Sequence, residues 1–161
     1  MIASATDPLN PLFIDTNLLL LLVIGLLDPG QIEKFKRTRA YTREDYSLLS
    51  EFVSGYDGLL ATPNILTEVS NLTGYLSEPL RSRGFATLAA LVAELVEVHF
   101  PSIEVVHHPY YTVLGLADIS VLLASRGRAT VLTDDFDLYA RLSAEGVSVI
   151  NFNHVRSGAW P

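Results

Sequence analysis

Asp15, Glu68, Asp118 and the adjacent pair Asp134–Asp135 are the residues of this 161-residue chain whose types and positions point most clearly to chemistry. Each falls where a charge is hard to place: at the end of an apolar strand or on the core-facing side of a helix. Carboxylates that converge without cations repel one another and stay partly protonated. Hard divalent cations resolve that conflict, and an all-oxygen donor set in a chain without cysteine suits Mg²⁺ or Mn²⁺.

The elements that must position these acids can be read from the apolar pattern. Tyr111 to Ser125 is apolar nearly all round at helical spacing, so the helix should be buried, with Asp118 between Leu114, Val121 and Leu122. A charge there is costly unless it is paired or binds a metal. The alternative is an aspartate satisfied by an arginine or by a helix N-terminus. Glu68 lies at the edge of the core face formed by Ile65, Leu66, Val69, Leu72 and Leu76, where a lone glutamate could equally reach solvent. Asp15 ends the strand Leu12 to Ile14, and in parallel α/β sheets the carboxyl ends of strands border the ligand crevice. Asp15, Thr16 or Asn17 could also simply cap the leucine-rich helix that follows. Thr133-Asp134-Asp135 repeats the arrangement after the strand Ala129 to Thr133, with the same capping alternative.

The remaining elements alternate between strand and helix. Leu18 to Leu27 reads as a buried helix stopped by Asp28-Pro29-Gly30. Ile32 to Arg39 and Thr42 to Ser54 read as surface helices, the second capped by Thr42 with Asp45 three residues on. Gly58 to Ala61 is a minimal strand leading to Thr62-Pro63 and a helix to about Leu76. A helix over Glu78 to Val98, a strand at Ile103 to Val106, a helix over Phe136 to Ala144 and a strand at Val147 to Phe152 complete the chain, with Ser157 to Pro161 as a frayed tail. Short, continuously apolar strands between helices predict an α/β fold: a three-layer α/β/α sandwich around a mostly parallel sheet. Neither a repeat nor a linker divides the chain, so residues 1–161 read as one domain with an extra helical segment around 30–56.

Composition narrows the class. The chain is 49% apolar and 18% charged, an ordinary globular balance. The longest apolar run, Leu18 to Leu27, is too short to cross a bilayer, and the first fourteen residues carry Asp7 and no Lys or Arg, unlike a signal peptide. A cytoplasmic protein is the expectation. The net charge of −7 argues against a conventional basic DNA-binding surface. Discounting the five carboxylates leaves the rest of the chain close to neutral, and two divalent cations would more than offset them.

Taken in order, these segments resemble the PIN-domain family. The resemblance rests on Phe13-Ile14-Asp15-Thr16-Asn17, on the helix Pro63 to Val69 carrying Glu68, on Gly115-Leu116-Ala117-Asp118-Ile119, and on Val131-Leu132-Thr133-Asp134-Asp135-Phe136-Asp137-Leu138. It covers most of the chain. It implies a Rossmann-like sandwich and a Mg²⁺- or Mn²⁺-dependent endoribonuclease acting on single-stranded RNA, often a toxin held by a small antitoxin protein and commonly a homodimer. Asp15, Glu68, Asp118 and Asp135 take the catalytic metal-ligand roles, with Asp134 as the alternative fourth ligand. Thr16, Asn17, Thr133 and Asp137 stand beside them to orient carboxylates or water. A cation in such a site polarises a scissile phosphate and acidifies a water for in-line attack, with a second ion if two bind. The stretch between Asp15 and Glu68 is longer than in compact members by about one helix.

The phosphate backbone of an RNA needs further cations. Lys34, Lys36, Arg37, Arg39 and Arg43 could form a guiding strip, with Phe35 and Tyr41 for stacking; the alternative is a solvated helix face. Arg81 and Arg83 form a second small group. His107 and His108 invite a metal reading, but neighbouring side chains diverge. Two other functions compete: a catalytically inactive PIN-like binding or scaffold module, and a Mg²⁺-dependent phosphatase. The latter wants a lysine at a strand end, whereas Lys34 and Lys36 lie in the predicted surface helix.

Overall fold

Pro11–Ile14 (β1) is completely buried, and its four apolar residues pair on both sides. One neighbour is Gly58–Ala61 (β2), in the register Leu12 to Leu59; the other is Thr130–Thr133 (β4), in the register Ile14 to Leu132. Val96–Glu97 (β3) extends the β2 side and Val149–Asn151 (β5) the β4 side. Among the residues described by this computed structural model, 9–158, the sheet is five-stranded, all parallel and ordered β3-β2-β1-β4-β5. Asp7 and residues 159–161 of the expected tail lie outside the described residues.

Helices flank this sheet in an α/β/α sandwich. They are Thr16–Leu27 (α1), Arg43–Ser54 (α2), Pro63–Thr73 (α3), Leu80–Glu94 (α4), Ser102–Val106 (α5), Tyr111–Ser125 (α6), Phe136–Ala144 (α7) and Phe152–Arg156 (α8). Leu18 to Ile24 of α1 are buried without interruption, because α2, α3 and α4 all pack on this helix. Burying each such leucine contributes about 1.5–3 kcal/mol before entropy is counted. Gly25 permits the approach of α2, since a Cβ there would lie 2.2 Å from the Tyr46 ring. Thr42 and Asp45 form the reciprocal capping box at the start of α2, and Pro63 occupies the first turn of α3 behind the Thr62 cap. Among the described residues no helix is long and apolar enough to cross a membrane.

Five local expectations are corrected. The helix expected over Glu78 to Val98 ends at Glu94, and Val96–Glu97 within that range pairs with β2 as a strand. Ile32 to Arg39 forms turns after a 3₁₀ segment at Pro29–Gln31 rather than a helix. Ile32 and Thr38 are fully buried, and the Thr38 hydroxyl donates to the Ile32 carbonyl at 2.8 Å, so tertiary anchoring and a side-chain bond replace the helical ladder. Ile103 to Val106 is helical, not extended: Pro101 sets the turn, and the Glu104 amide bonds its carbonyl at 2.9 Å. The edge strand is β3 instead. Phe152, expected at the end of a strand, starts α8, capped by Asn151. Finally, α6 is not continuous. Gly115 adopts φ 80° and ψ 178°, a conformation essentially reserved for glycine, and splits the helix. The part before it is largely exposed, with Val113 63% accessible, and burial begins at Ile119.

Candidate functional site

The sheet order reverses direction at β1. The chain moves outward through β2 and β3, then returns to place β4 on the other side of β1. In open parallel sheets, ligands bind at the carboxyl ends of the strands flanking such a switch point. Asp15 follows β1 and Thr133-Asp134-Asp135 ends β4, so topology brings both acidic strand ends to that crevice. The Asp15 amide continues the ladder to the Leu132 carbonyl at 3.2 Å.

A cleft of about 520 Å³ opens here. Asp15, Glu68, Asp118 and Asp135 all line it, together with Thr16, Asn17, Arg37, Asn71, Tyr75 and the apolar Ile65, Leu72 and Leu138. Four acids drawn from two strand ends and two helices therefore share one opening.

Asp15 is buried and performs two tasks. Its Oδ1 accepts the Leu18 amide at 3.2 Å, so the capping alternative is correct for α1. Its Oδ2 accepts the Thr133 hydroxyl and the Asp134 amide, the latter at 3.2 Å. Burial and then the neighbouring Asp134 charge raise its pKa to about 7, against the lowering effect of these hydrogen bonds. Glu68 is exposed, and its Oε2 accepts the Thr16 hydroxyl at 2.6 Å, which ties α3 to the start of α1. Asp135 is exposed and caps α7, its Oδ1 accepting the amides of Asp137 at 2.8 Å and Leu138 at 3.0 Å. The Asp135 amide in turn donates to the Thr133 hydroxyl at 3.0 Å. Thr133 thus links the two acidic strand ends.

Asp118 has a different environment. The break at Gly115 places it in the first turn of the buried part of α6, not in mid-helix, and it is half-buried. Among the described residues its carboxylate has neither a hydrogen-bond donor nor a cationic partner, so neither an arginine nor the helix N-terminus satisfies it. Burial, then Asp135 and then Glu68 raise its pKa to about 6. The acids on this cleft feel one another.

Asp134 points elsewhere. It does not line the cleft, and its Oδ2 accepts the Tyr41 hydroxyl. Asn153 Nδ2 holds its backbone carbonyl at 2.9 Å. Tyr41 is buried, with Arg156 5.3 Å above its ring; Phe35 packs on the core. Neither is presented for stacking. Of the expected basic strip, Arg37 lines the cleft and Lys34, Lys36, Arg39 and Arg43 do not. Lys34 and Arg43 lie close enough to Asp28 to help hold its carboxyl below the usual range, after hydrogen bonds from Gly30 and Gln31. Arg81 sits over Phe85 on α4. His107 bonds the Ile103 carbonyl and His108 accepts the Tyr110 amide, both local bonds, and neither histidine lines the cleft.

Asn71 and Tyr75 were not anticipated from the sequence. For Asn71 the available signal was its place in α3, three residues on from Glu68 and so on the same face; Tyr75 lies in the turn beyond α3 and offered no such spacing.

The donor set is all oxygen, and Asp118 presents an unneutralised carboxylate beside two others. This chemistry fits a hard divalent cation. Among the described residues no three acidic or histidine side chains are close enough together to enclose one ion in these positions. No family model, curated protein or solved structure matches this chain, so the chemistry is read from its own geometry.

Proposed function

We propose that this chain is a PIN-like endoribonuclease that hydrolyses phosphodiester bonds of single-stranded RNA with Mg²⁺ or Mn²⁺. The observation that carries the reading is Asp118: a half-buried carboxylate without donor or cation, flanked by Asp135 and Glu68 and opening on the same cleft as Asp15. Such a group is costly to keep unless something positive joins it.

Asp15, Glu68, Asp118 and Asp135 would hold the cation, whose role is to place charge on a phosphoryl oxygen and acidify a water. Thr133 and the Asp134 amide orient Asp15, and Thr16 orients Glu68. Among the described residues the lining contains no Cys, His or Lys, and its one hydroxyl outside the tyrosine, on Thr16, is spent on Glu68. This leaves a phosphatase without the lysine it wants at the acids.

The test is cleavage of a labelled single-stranded RNA by purified protein with Mn²⁺. Asp15→Asn and Asp118→Asn should each reduce cutting below detection, and cutting that survives both removes the assignment. Failure of the wild type to cut, with no Mn²⁺ binding by calorimetry, would favour the inactive module. The resemblance extends the proposal to a toxin restrained by a small antitoxin and acting as a homodimer in the cytoplasm. Expression of the chain alone should then arrest bacterial growth while the Asp15→Asn form does not, and unimpaired growth removes the toxin role.

A further inference from the structure

The cleft holds one feature that metal-ion hydrolysis does not require. Arg37 and Tyr75 line it together, with the guanidinium carbon 4.7 Å from the centre of the tyrosine ring. Tyr75 is 66% accessible, so its ring is open to solvent beside the acids. Among the described residues Arg37 is the one basic side chain on the cleft, and no carboxylate there pairs with it. Its charge remains available to an incoming anion.

Both residues are presented on anchored backbone. Arg37 precedes Thr38, which is fully buried and bonded to the Ile32 carbonyl. Tyr75 lies between Gly74, which ends α3, and the buried Leu76, and its amide bonds the Leu72 carbonyl at 3.1 Å. Tyr75 lies in the turn just beyond α3, which carries Glu68 and ends at Thr73, and both residues line the same cleft. The pair thus reaches the acids' cleft from two loop positions, outside the strand ends and helices that carry the acids.

We infer that Arg37 and Tyr75 form a platform for a nucleotide beside the scissile phosphate of an unpaired RNA strand: its base stacks on Tyr75 and its phosphate meets Arg37. The inference rests on the proposed nuclease reading for where the scissile phosphate lies. An aromatic face accepts any base but requires it to be unstacked, so the platform selects single strands without selecting sequence. A single cation makes the electrostatic footprint short. That accords with a cleft whose other charged lining residues are four acids, which would repel a longer backbone.

The probe is a fluorescein-labelled, non-self-complementary RNA octamer, titrated by anisotropy with Ca²⁺ replacing Mg²⁺ so that binding is read apart from cutting. Tyr75→Ala and Tyr75→Leu should weaken binding by about 5- to 100-fold, while Tyr75→Phe stays near wild type. Arg37→Gln should weaken binding and flatten the slope of log affinity against log salt by about 0.7, one phosphate's share for a single strand. The octamer annealed to its complement should bind at least about tenfold more weakly. Tyr75→Leu retains apolar bulk, and unchanged melting temperatures for both tyrosine variants separate lost binding from lost folding.

Wild-type affinity in Tyr75→Leu, equal binding of the duplex, or no binding of the single strand by the wild type each overturns the platform. Mn²⁺-dependent cutting of the same octamer is scored separately. Tyr75-dependent binding without cutting upholds the platform and removes the nuclease; cutting and binding indifferent to Tyr75 do the reverse.

Discussion

Tyr41 donates its hydroxyl to Oδ2 of Asp134, a bond that joins the long segment before α2 to the acidic end of β4. Burial and then this bond raise the pKa of Tyr41, so the hydroxyl remains a donor across the accessible pH range. Asp134 consequently acts from behind the cleft: its charge raises Asp15, and its amide and side chain lock the strand end in place.

Removing that donor should be costly. Tyr41→Phe leaves the Asp134 carboxylate partly buried, without its donor and still beside Asp15. A hydrogen bond to a charged group contributes about 1.5–3 kcal/mol, so a loss of that order is expected in urea unfolding at neutral pH. Asp134→Asn in the Tyr41→Phe background should recover part of it. An unchanged unfolding midpoint in Tyr41→Phe would show that the bond contributes nothing.

Thr133 is expected to matter more for chemistry than its size implies. Its hydroxyl donates to Asp15 and accepts the Asp135 amide, so one atom sets both acids. Thr133→Val keeps the β-branched shape and loses both bonds. Outer partners of metal-binding acids are worth about 10- to 100-fold in metal affinity or activity, and a drop of that size is expected in Mn²⁺ affinity by calorimetry. Thr133→Ser should restore most of it, whereas a merely structural position would not distinguish serine from valine in this way.

The acids also make stability depend on pH. Asp15 and Asp118 are raised from 3.8 to about 7 and about 6, so the folded chain holds protons that the unfolded chain has released. Between about pH 4 and pH 7 their contribution to stability is therefore lost as pH rises, and it levels off above the folded pKa values. In chelator, the melting temperature should be higher near pH 5 than near pH 7.5, a difference that Asp15→Asn and Asp118→Asn each reduce. Mn²⁺ competes with those protons, so its stabilising effect should grow with pH. A melting temperature that rises with pH in chelator for the wild type but not for these variants contradicts the assignment.

Gly115 should not tolerate a side chain. A Cβ there meets nothing within 4 Å, so the obstacle is the backbone conformation alone. Gly115→Ala is expected to cost about 1–3 kcal/mol. It should also move Asp118, lowering Mn²⁺ affinity in protein that still folds. Stability equal to wild type would mean that α6 can run through this position unbroken.

Much of this arrangement was legible because its signals are local. The leucine run of α1, the Thr42 and Thr62 caps and the breaker at Asp28-Pro29-Gly30 act within a few residues, and the chain obeys them. The segments that misled were short apolar stretches such as Ile103 to Val106, where periodicity cannot separate strand from helix. Ile32 to Arg39 failed for another reason: burial of Ile32 and Thr38 outweighed its helical pattern.

By itself, the sequence determined the α/β architecture and pointed to Asp15, Glu68 and Asp118, with the fourth acid left between Asp134 and Asp135. Apolar periodicity and strand-end position depend only on neighbouring residues. Tertiary structure alone decided how the acids divide their work. Asp135 opens on the cleft while Asp134 turns to Tyr41, and Asp118 lies beside Asp135 and Glu68 with no donor of its own. It also separated Arg37 from its basic neighbours and set it over Tyr75. Those choices depend on contacts between residues far apart in the chain, which only the strand order of the sheet and the packing around α1 bring together.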